Sequence, residues 1–199
     1  MLKGLLLEQF YCSDNVNNYI MKDIIVKDNF FSNVYELRKL ALSSRFYSPQ
    51  ETKKKVNWKG FRTDELKNYP NKILNDSFNY LYDELEREYG LKNLILSSYF
   101  HLTLSATKDI VANFYNSRWH SDDTSHRYAG IVYLTPNPPK NTGTTILTGD
   151  KPYEVENYFN RMVAYPAEFI HAPTDLFGED FYTGRMTLTF FMHKDWTWD

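Results

Sequence analysis

The apolar positions of the chain change period close to residue 94. Ahead of it they recur at helical spacing. Val34, Leu37, Leu40 and Ala41 form one stripe, which predicts a helix over 33–46, with Asn33 and Glu36 as a capping pair at its start. Leu74, Phe78, Leu81, Leu85 and Tyr89 form a second stripe, which predicts a helix over 70–88, and Gly90 stands where a C-terminal cap belongs. Before both, Ile24-Ile25-Val26 reads as a short strand that runs into a turn. After residue 94 the pattern alternates: Leu94, Leu96, Phe100, Leu102 and Leu104 share one face, and Tyr99, His101 and Thr103 share the other. Further strands are predicted over 110–115, 128–134, 144–147, 161–165 and 186–192. Turns punctuate them at Pro136-Asn137-Pro138-Pro139, Asn141-Thr142-Gly143, Thr148-Gly149-Asp150 and Phe177-Gly178. Two helices followed by many short strands predict a mainly β protein, with N-terminal helices packed on a β-sandwich.

Residues 47–69 carry no period. They hold the basic run Lys53-Lys54-Lys55 and the aromatic residues Trp58 and Phe61. An aperiodic stretch of that length inside a domain is a candidate substrate lid. Together with residues 149–160 it is the place to look for substrate choice.

With 199 residues, 42% of them hydrophobic, the chain reads as a single domain over 1–199: a helical support with the possible lid over 1–93, and a β core over 94–193. A net charge of −2 and a pI near 6.2 give no basic surface for a phosphate backbone, so no nucleic-acid partner is expected. Cys12, the one cysteine, cannot form an intrachain disulfide, and no apolar stretch approaches the roughly 18 residues of a membrane span. The run Leu5 to Leu7 is broken at Glu8 and is too short for the apolar core of a signal peptide. A cytoplasmic location is the expectation; oligomeric state is not legible.

The chemistry concentrates in Trp119-His120-Ser121-Asp122, in the distant His171, and in Arg185 at the start of an apolar strand. Two imidazoles and a carboxylate are the donor set of a facial iron(II) site. An H-x-D in a chain with five histidines is a weak signal on its own. Asp123 is a rival carboxylate. His101, His126 and His193 have no partner at ligand spacing and read as core or surface residues.

The order of motifs is more specific. His120-Ser121-Asp122, Ile131-Val132-Tyr133-Leu134, Gly143-Thr144-Thr145, Val163-Ala164-Tyr165-Pro166, His171-Ala172-Pro173 and Gly184-Arg185 follow one another as in the Fe(II)/2-oxoglutarate-dependent dioxygenase superfamily. Within it the chain resembles the prolyl-4-hydroxylase-like branch. The resemblance covers about residues 94–192, and more loosely 24–63. It implies a double-stranded β-helix core, a jelly-roll of the cupin kind. It implies His120, Asp122 and His171 as catalytic metal ligands, with Asp122 preferred over Asp123. It also implies Arg185 as the anchor of the distal carboxylate of 2-oxoglutarate, with Tyr133 and Thr187 as further contacts and Arg118 or Arg127 as alternative anchors. The implied cofactor is Fe(II), and the implied partners are 2-oxoglutarate, O2 and an unknown primary substrate. The implied reaction is hydroxylation of an unactivated C–H bond of a protein side chain or small molecule, with release of succinate and CO2. Two alternatives stand beside it: a non-catalytic jelly-roll, which would not need Arg185, and a metal-dependent cupin, which would keep the three ligands but not the anchor.

Overall fold

The computed structural model describes residues 23–52, 58–92, 95–110, 114–149 and 151–193. Cys12, Leu5 to Leu7, Lys53 to Lys55, Leu94 and Asp150 lie outside them. In chain order the elements are β1 (Ile25–Lys27), α1 (Val34–Ser43), β2 (Phe61–Arg62), α2 (Lys72–Tyr89), β3 (Leu96–Thr103), the single helical turns α3 (Thr107–Ile110) and α4 (Phe114–Ser117), β4 (His126–Tyr133), β5 (Thr144–Thr148), β6 (Lys151–Val155), β7 (Met162–Pro166), β8 (His171–Pro173) and β9 (Arg185–His193). Two antiparallel sheets result. The major sheet has the order β1-β7-β4-β9-β3-β2 and the minor one β6-β5-β8, the two-sheet plan of a jelly-roll core.

What separates the two faces of the major sheet is the strict alternation of β9. Met186, Leu188, Phe190 and Met192 join Phe100, Leu102, Val132 and Leu134 in one cluster with Leu37, Ala41, Leu74, Leu81 and Leu85 of the helices. Because successive side chains of a strand point to opposite faces, Arg185, Thr187, Thr189 and Phe191 then face the other way, toward the minor sheet. A second, smaller cluster lies there, built from Ala129, Ile131, Tyr133, Val163 and Tyr165 with Ile146 and Val155 of the minor sheet.

The helices are anchored as well as packed. The side chain of Asn71 caps α2 by accepting from the backbone N–H of Ile73 at 2.8 Å, and Gly90 closes the helix in the left-handed conformation at φ 64°. At α1 the predicted capping pair does not form. The Nδ2 of Asn33 donates instead to Ser77 Oγ at 3.2 Å, so the residue ties α1 to α2 rather than capping its own helix. Arg38, buried on α1, donates through Nη1 to the carbonyl of Leu134 and through Nη2 to that of Tyr182, both at 2.7 Å. The helical layer thereby fixes the end of β4 and the approach to β9.

Three expectations need correction. The described ends of the strand expected over 110–115 are not extended: Thr107–Ile110 and Phe114–Ser117 are helical turns, and residues 111–113 lie outside the described residues. A short apolar run with β-branched residues does not distinguish strand from helix by its period. Here Thr107 starts a turn, with its Oγ1 accepting from the backbone N–H of Leu104 at 3.2 Å. Residues 47–69 are not all loop, since β2 adds to the edge of β3 and Tyr47 bridges to Arg62. Residues 149–160 contain β6, a mostly exposed outer strand whose Pro152 hid it from pattern reading.

Packing is tight enough to be tested at one glycine. A Cβ on Gly130 would stand 2.3 Å from the ring of Phe190 and 2.5 Å from the backbone oxygen of Val163. Gly130→Ala is therefore expected to destabilise the fold by about 1–3 kcal/mol, read as a lower urea midpoint at unchanged slope. A neutral result would show that β4 and β7 can separate without cost.

Candidate functional site

His120 and His171 are far apart in sequence but are directly opposite each other in the minor sheet. The backbone N–H of His120 donates to the carbonyl of His171 at 3.1 Å, and that of His171 to the carbonyl of His120 at 2.8 Å. Such a doubly bonded antiparallel pair places both side chains on one face, and the rings lie 4.4 Å apart. That face is the interior one, because His171 is also opposite Ile146. Asp122 follows within the same segment, held by its backbone N–H donating to the carbonyl of Ala167 at 2.9 Å.

Each imidazole is oriented by the same device. Its Nδ1–H donates at 2.9 Å to the carbonyl two residues before it, Arg118 for His120 and Phe169 for His171. This fixes the tautomer and leaves both Nε2 atoms as unprotonated lone-pair donors. The three side chains can each offer a ligand atom, and these atoms lie within 4.8 Å of one another. Asp122 Oδ2 is 3.8 Å from His171 Nε2, is enclosed, and has no hydrogen-bond partner. A buried carboxylate oxygen without a partner is costly in a folded protein, and a divalent ion among two neutral imidazoles removes that cost. The residues present thus fit a metal.

The electrostatics agree. Burial raises the carboxyl of Asp122 to about 6, against the opposing influence of His120 and Arg62. Burial, reinforced by His120, pushes His171 down to about 3, so its imidazole is neutral at any ordinary pH. Asp123 is differently engaged: it is exposed, and its Oδ1 accepts from the backbone N–H of Ser125 at 2.8 Å in a local turn, which lowers its carboxyl.

Arg185 lies wholly inside, on the same face. Its Nε donates to the carbonyl of Thr142 at 3.1 Å, and its Nη2 to the carbonyl of Gly143 at 3.1 Å and to Thr144 Oγ1 at 3.2 Å. Gly143 itself has no room for a side chain, because a Cβ there would collide with the backbone oxygen of Val155 in the neighbouring strand. The Tyr133 hydroxyl shares Thr144 Oγ1 at 2.7 Å, and its ring lies beside the guanidinium at 5.3 Å. Thr187 is on the same face, with its Oγ1 3.2 Å from that of Thr189. Among the described residues no carboxylate lies within ion-pair distance of Arg185, and the Tyr133 hydroxyl also interacts with its guanidinium. Arg118 points elsewhere, donating to the carbonyl of Thr174, and Arg127 is exposed beside Tyr128.

Three residues of this interior were not singled out in the sequence. Thr144 was legible only as part of a Gly-Thr-Thr turn. His101 and Arg62 occupy one row across the sheet with Thr187 and Tyr133, since Arg62 pairs with His101, His101 with Thr187, and Thr187 with Tyr133. His101 is half-buried and neutral, held down to about 3 by desolvation of its ring, with its Nε2–H donating to the carbonyl of Lys59 at 2.6 Å. The alternation of β3 already put it on the face of Tyr99, but nothing in the sequence linked it to the site. His126 and His193 pack against each other outside the cluster, at 4.8 Å.

No family profile matches the sequence, and no curated protein matches it. Solved structures do match its fold. A prolyl-4-hydroxylase from Pseudomonas putida aligns at a TM-score of 0.61 and 13% identity, covering 90% of this chain and 97% of that one. An oxidoreductase of the 2OG-Fe(II) oxygenase family from Burkholderia pseudomallei aligns at 0.62 and 9%, covering 92% and 93%. The non-haem alpha-ketoglutarate-dependent epimerase SnoN from nogalamycin biosynthesis aligns at 0.54 and 12%, covering 90% and 82%. The chain has the double-stranded β-helix fold of 2-oxoglutarate-dependent Fe(II) oxygenases. The similarity extends over the helical layer as well as the core.

Two outcomes follow from the state of Asp122. Its folded carboxyl is raised above the ordinary value of 3.8, so the metal-free protein gains stability from the protonated form below that value and loses it as pH rises through about 6. At pH 7 Asp122→Asn is expected to make the metal-free protein about 1–3 kcal/mol more stable, an advantage that disappears below pH 4. Urea melts at both pH values check it; a destabilised variant at pH 7 would mean that the carboxylate is already compensated. Metal binding must displace the same proton. The affinity for Mn(II), measured by titration at pH 5, 6 and 7, is expected to fall about tenfold per unit below pH 6. A flat profile would remove Asp122 from the ligand set.

Proposed function

We propose that the protein is an Fe(II)- and 2-oxoglutarate-dependent oxygenase that oxidises a C–H bond of a small molecule or protein side chain. The observation that carries this reading is the buried Arg185, a cation with no carboxylate partner among the described residues, facing the same interior as a cluster of two imidazoles and one carboxylate. A buried charge left without a counter-ion is strongly unfavourable, so the site is built for an anion that arrives from outside. A dicarboxylate that reaches from the cluster to Arg185 meets both requirements.

In this reading His120, Asp122 and His171 hold Fe(II), which when bound supplies oxygen activation coupled to the decarboxylation of 2-oxoglutarate to succinate and CO2. The residues of the chain position and shield. The carbonyls of Arg118 and Phe169 keep both imidazoles in the metal-binding tautomer. The carbonyls of Thr142 and Gly143 hold the guanidinium of Arg185 in place, so that its charge is presented without loss of side-chain entropy at binding. Tyr133 and Thr187 contribute hydroxyls to the same wall, and Ile131, Val163 and Tyr165 keep the interior apolar. The solved structures of this fold support the cofactor pair; the epimerase among them supports leaving the outcome of the oxidation open.

Arg185→Gln is expected to lower 2-oxoglutarate affinity by a few hundredfold, from the roughly 3–5 kcal/mol of a buried charge pair, while Fe(II) is retained. Thr187→Val and Tyr133→Phe should each weaken binding by about 1 kcal/mol. The check is the charge-transfer absorbance of the anaerobic Fe(II) protein titrated with 2-oxoglutarate, together with succinate formed under air. Unchanged binding by Arg185→Gln would favour a metal-dependent cupin that does not use 2-oxoglutarate, and absence of metal binding would favour a non-catalytic jelly-roll.

A further inference from the structure

Three arginines have guanidinium groups largely withdrawn from water, and they differ in what satisfies them. Arg38 has two carbonyl acceptors and fixes the helical layer. Arg185 has two carbonyls and a hydroxyl. Arg62 has none among the described residues. Its Nε is enclosed without a partner, and among the described residues neither Nη has a hydrogen-bond acceptor and no carboxylate lies within ion-pair distance. Aromatic rings surround it instead: Trp58 at 5.4 Å, Tyr99 at 5.1 Å and Phe191 at 5.9 Å. Such rings stabilise a cation and orient its plane, but they offer no acceptor to five N–H donors.

Position gives this group its meaning. Arg62 sits on the outermost strand of the major sheet, opposite His101, in the row that continues through Thr187 to Tyr133. Its side chain therefore belongs to the interior face that carries Arg185 and looks toward the metal-ligating cluster. Its charge is felt at the Asp122 carboxyl, which it pulls downward. Among the described residues the carboxylate whose charge reaches it, Asp122, lies beyond ion-pair distance. His101 is neutral, and Lys59 is turned away to donate to the carbonyl and hydroxyl of Ser117.

We infer that Arg62, framed by Trp58, Tyr99 and Phe191, is the specificity-determining group for the primary substrate and receives a carboxylate of that substrate beside the metal-ligating cluster. This rests on the function proposed above, and charge balance supports it. A divalent ion, the Asp122 carboxylate, the 2-oxoglutarate dianion and Arg185 together sum to zero. Arg62 is then one positive charge in excess, which a substrate carrying one carboxylate cancels. The planar fork of a guanidinium already oriented by aromatic faces matches a carboxylate through two parallel hydrogen bonds. The same rings provide apolar contact for the atoms next to that carboxylate. The substrate class is thus a monocarboxylic acid with an apolar body, such as an N-acylated amino acid or the C-terminus of a short peptide, in preference to an uncharged internal segment of a protein.

The test uses a set of N-acetyl amino acids with apolar side chains and the matching C-terminal amides. Binding is followed by ligand-observed NMR to the full chain, both metal-free and as the anaerobic Mn(II)·2-oxoglutarate complex. The wild-type protein is expected to prefer acids over amides by about 10- to 100-fold, as for a hydrogen bond to a charged group. Arg62→Gln should abolish that preference, Arg62→Lys should retain part of it, and Arg185→Gln should leave it intact in the metal-free protein. No acid-over-amide preference across the set, or a preference that survives Arg62→Gln, overturns the assignment. So does loss of 2-oxoglutarate binding in Arg62→Gln with an intact thermal melt, because Arg62 would then serve the cosubstrate. The metal-free arm reads Arg62 separately from the oxygenase reading. If the wild type fails to bind metal or 2-oxoglutarate but shows the Arg62-dependent preference, the proposed function fails while the carboxylate site stands.

Discussion

The interior of this protein depends on the two-sided character of the major sheet. One side of β3, β4 and β9 is saturated with Leu, Met, Phe and Val against α1 and α2. Fully burying each such side chain contributes about 1.5–3 kcal/mol, and a slip of one residue in register would turn all of them outward and the polar set inward. The register is thereby fixed by packing on the helical side, and the opposite side receives Arg62, Tyr99, His101, Arg185, Thr187 and Thr189 at fixed positions. Groups that are costly to bury are carried inward by neighbours that gain from burial.

The minor sheet supplies the other half of the site by a smaller device. One doubly hydrogen-bonded residue pair, His120 with His171, extends it beyond β8. Backbone hydrogen bonds set the separation of the two imidazoles, and side-chain bonds to the carbonyls of Arg118 and Phe169 set their rotation. A ligand cluster assembled by ladder geometry needs no contribution from the metal to bring its histidines together. Asp122 is the member held least favourably, with an enclosed oxygen that no protein group satisfies. The pH dependence of the site follows from that one atom.

Three arginines, Arg38 and Arg185 buried and Arg62 half-buried, show how the same side chain serves different ends according to its acceptors. Arg38, satisfied by carbonyls of two segments, is a structural clamp. Arg185 is held in place by two carbonyls and a hydroxyl but has no carboxylate partner among the described residues. Arg62, among the described residues, is held by ring faces.

Much was legible from the sequence by itself. The helical stripes at Leu37 and Ala41 and at Leu74, Leu81 and Leu85, and the alternation of β3 and β9, follow from local periodicity, because burial on one face leaves a direct trace in residue order. The order of His120, Asp122, His171 and Arg185 was equally plain, since these residues lie in short motifs. What the sequence could not decide is which side chains meet across strands. Asp122 rather than Asp123 enters the cluster because the backbone of one is tied to Ala167 while the side chain of the other is used by Ser125. The helical turns at 107–110 and 114–117 arose where a short apolar run was compatible with either conformation. Arg62 carried no signal, standing in an aperiodic stretch, until strand pairing put it beside His101. Whether a buried cation has a partner depends on residues brought together from β2, β3 and β9, and only the tertiary structure fixes that.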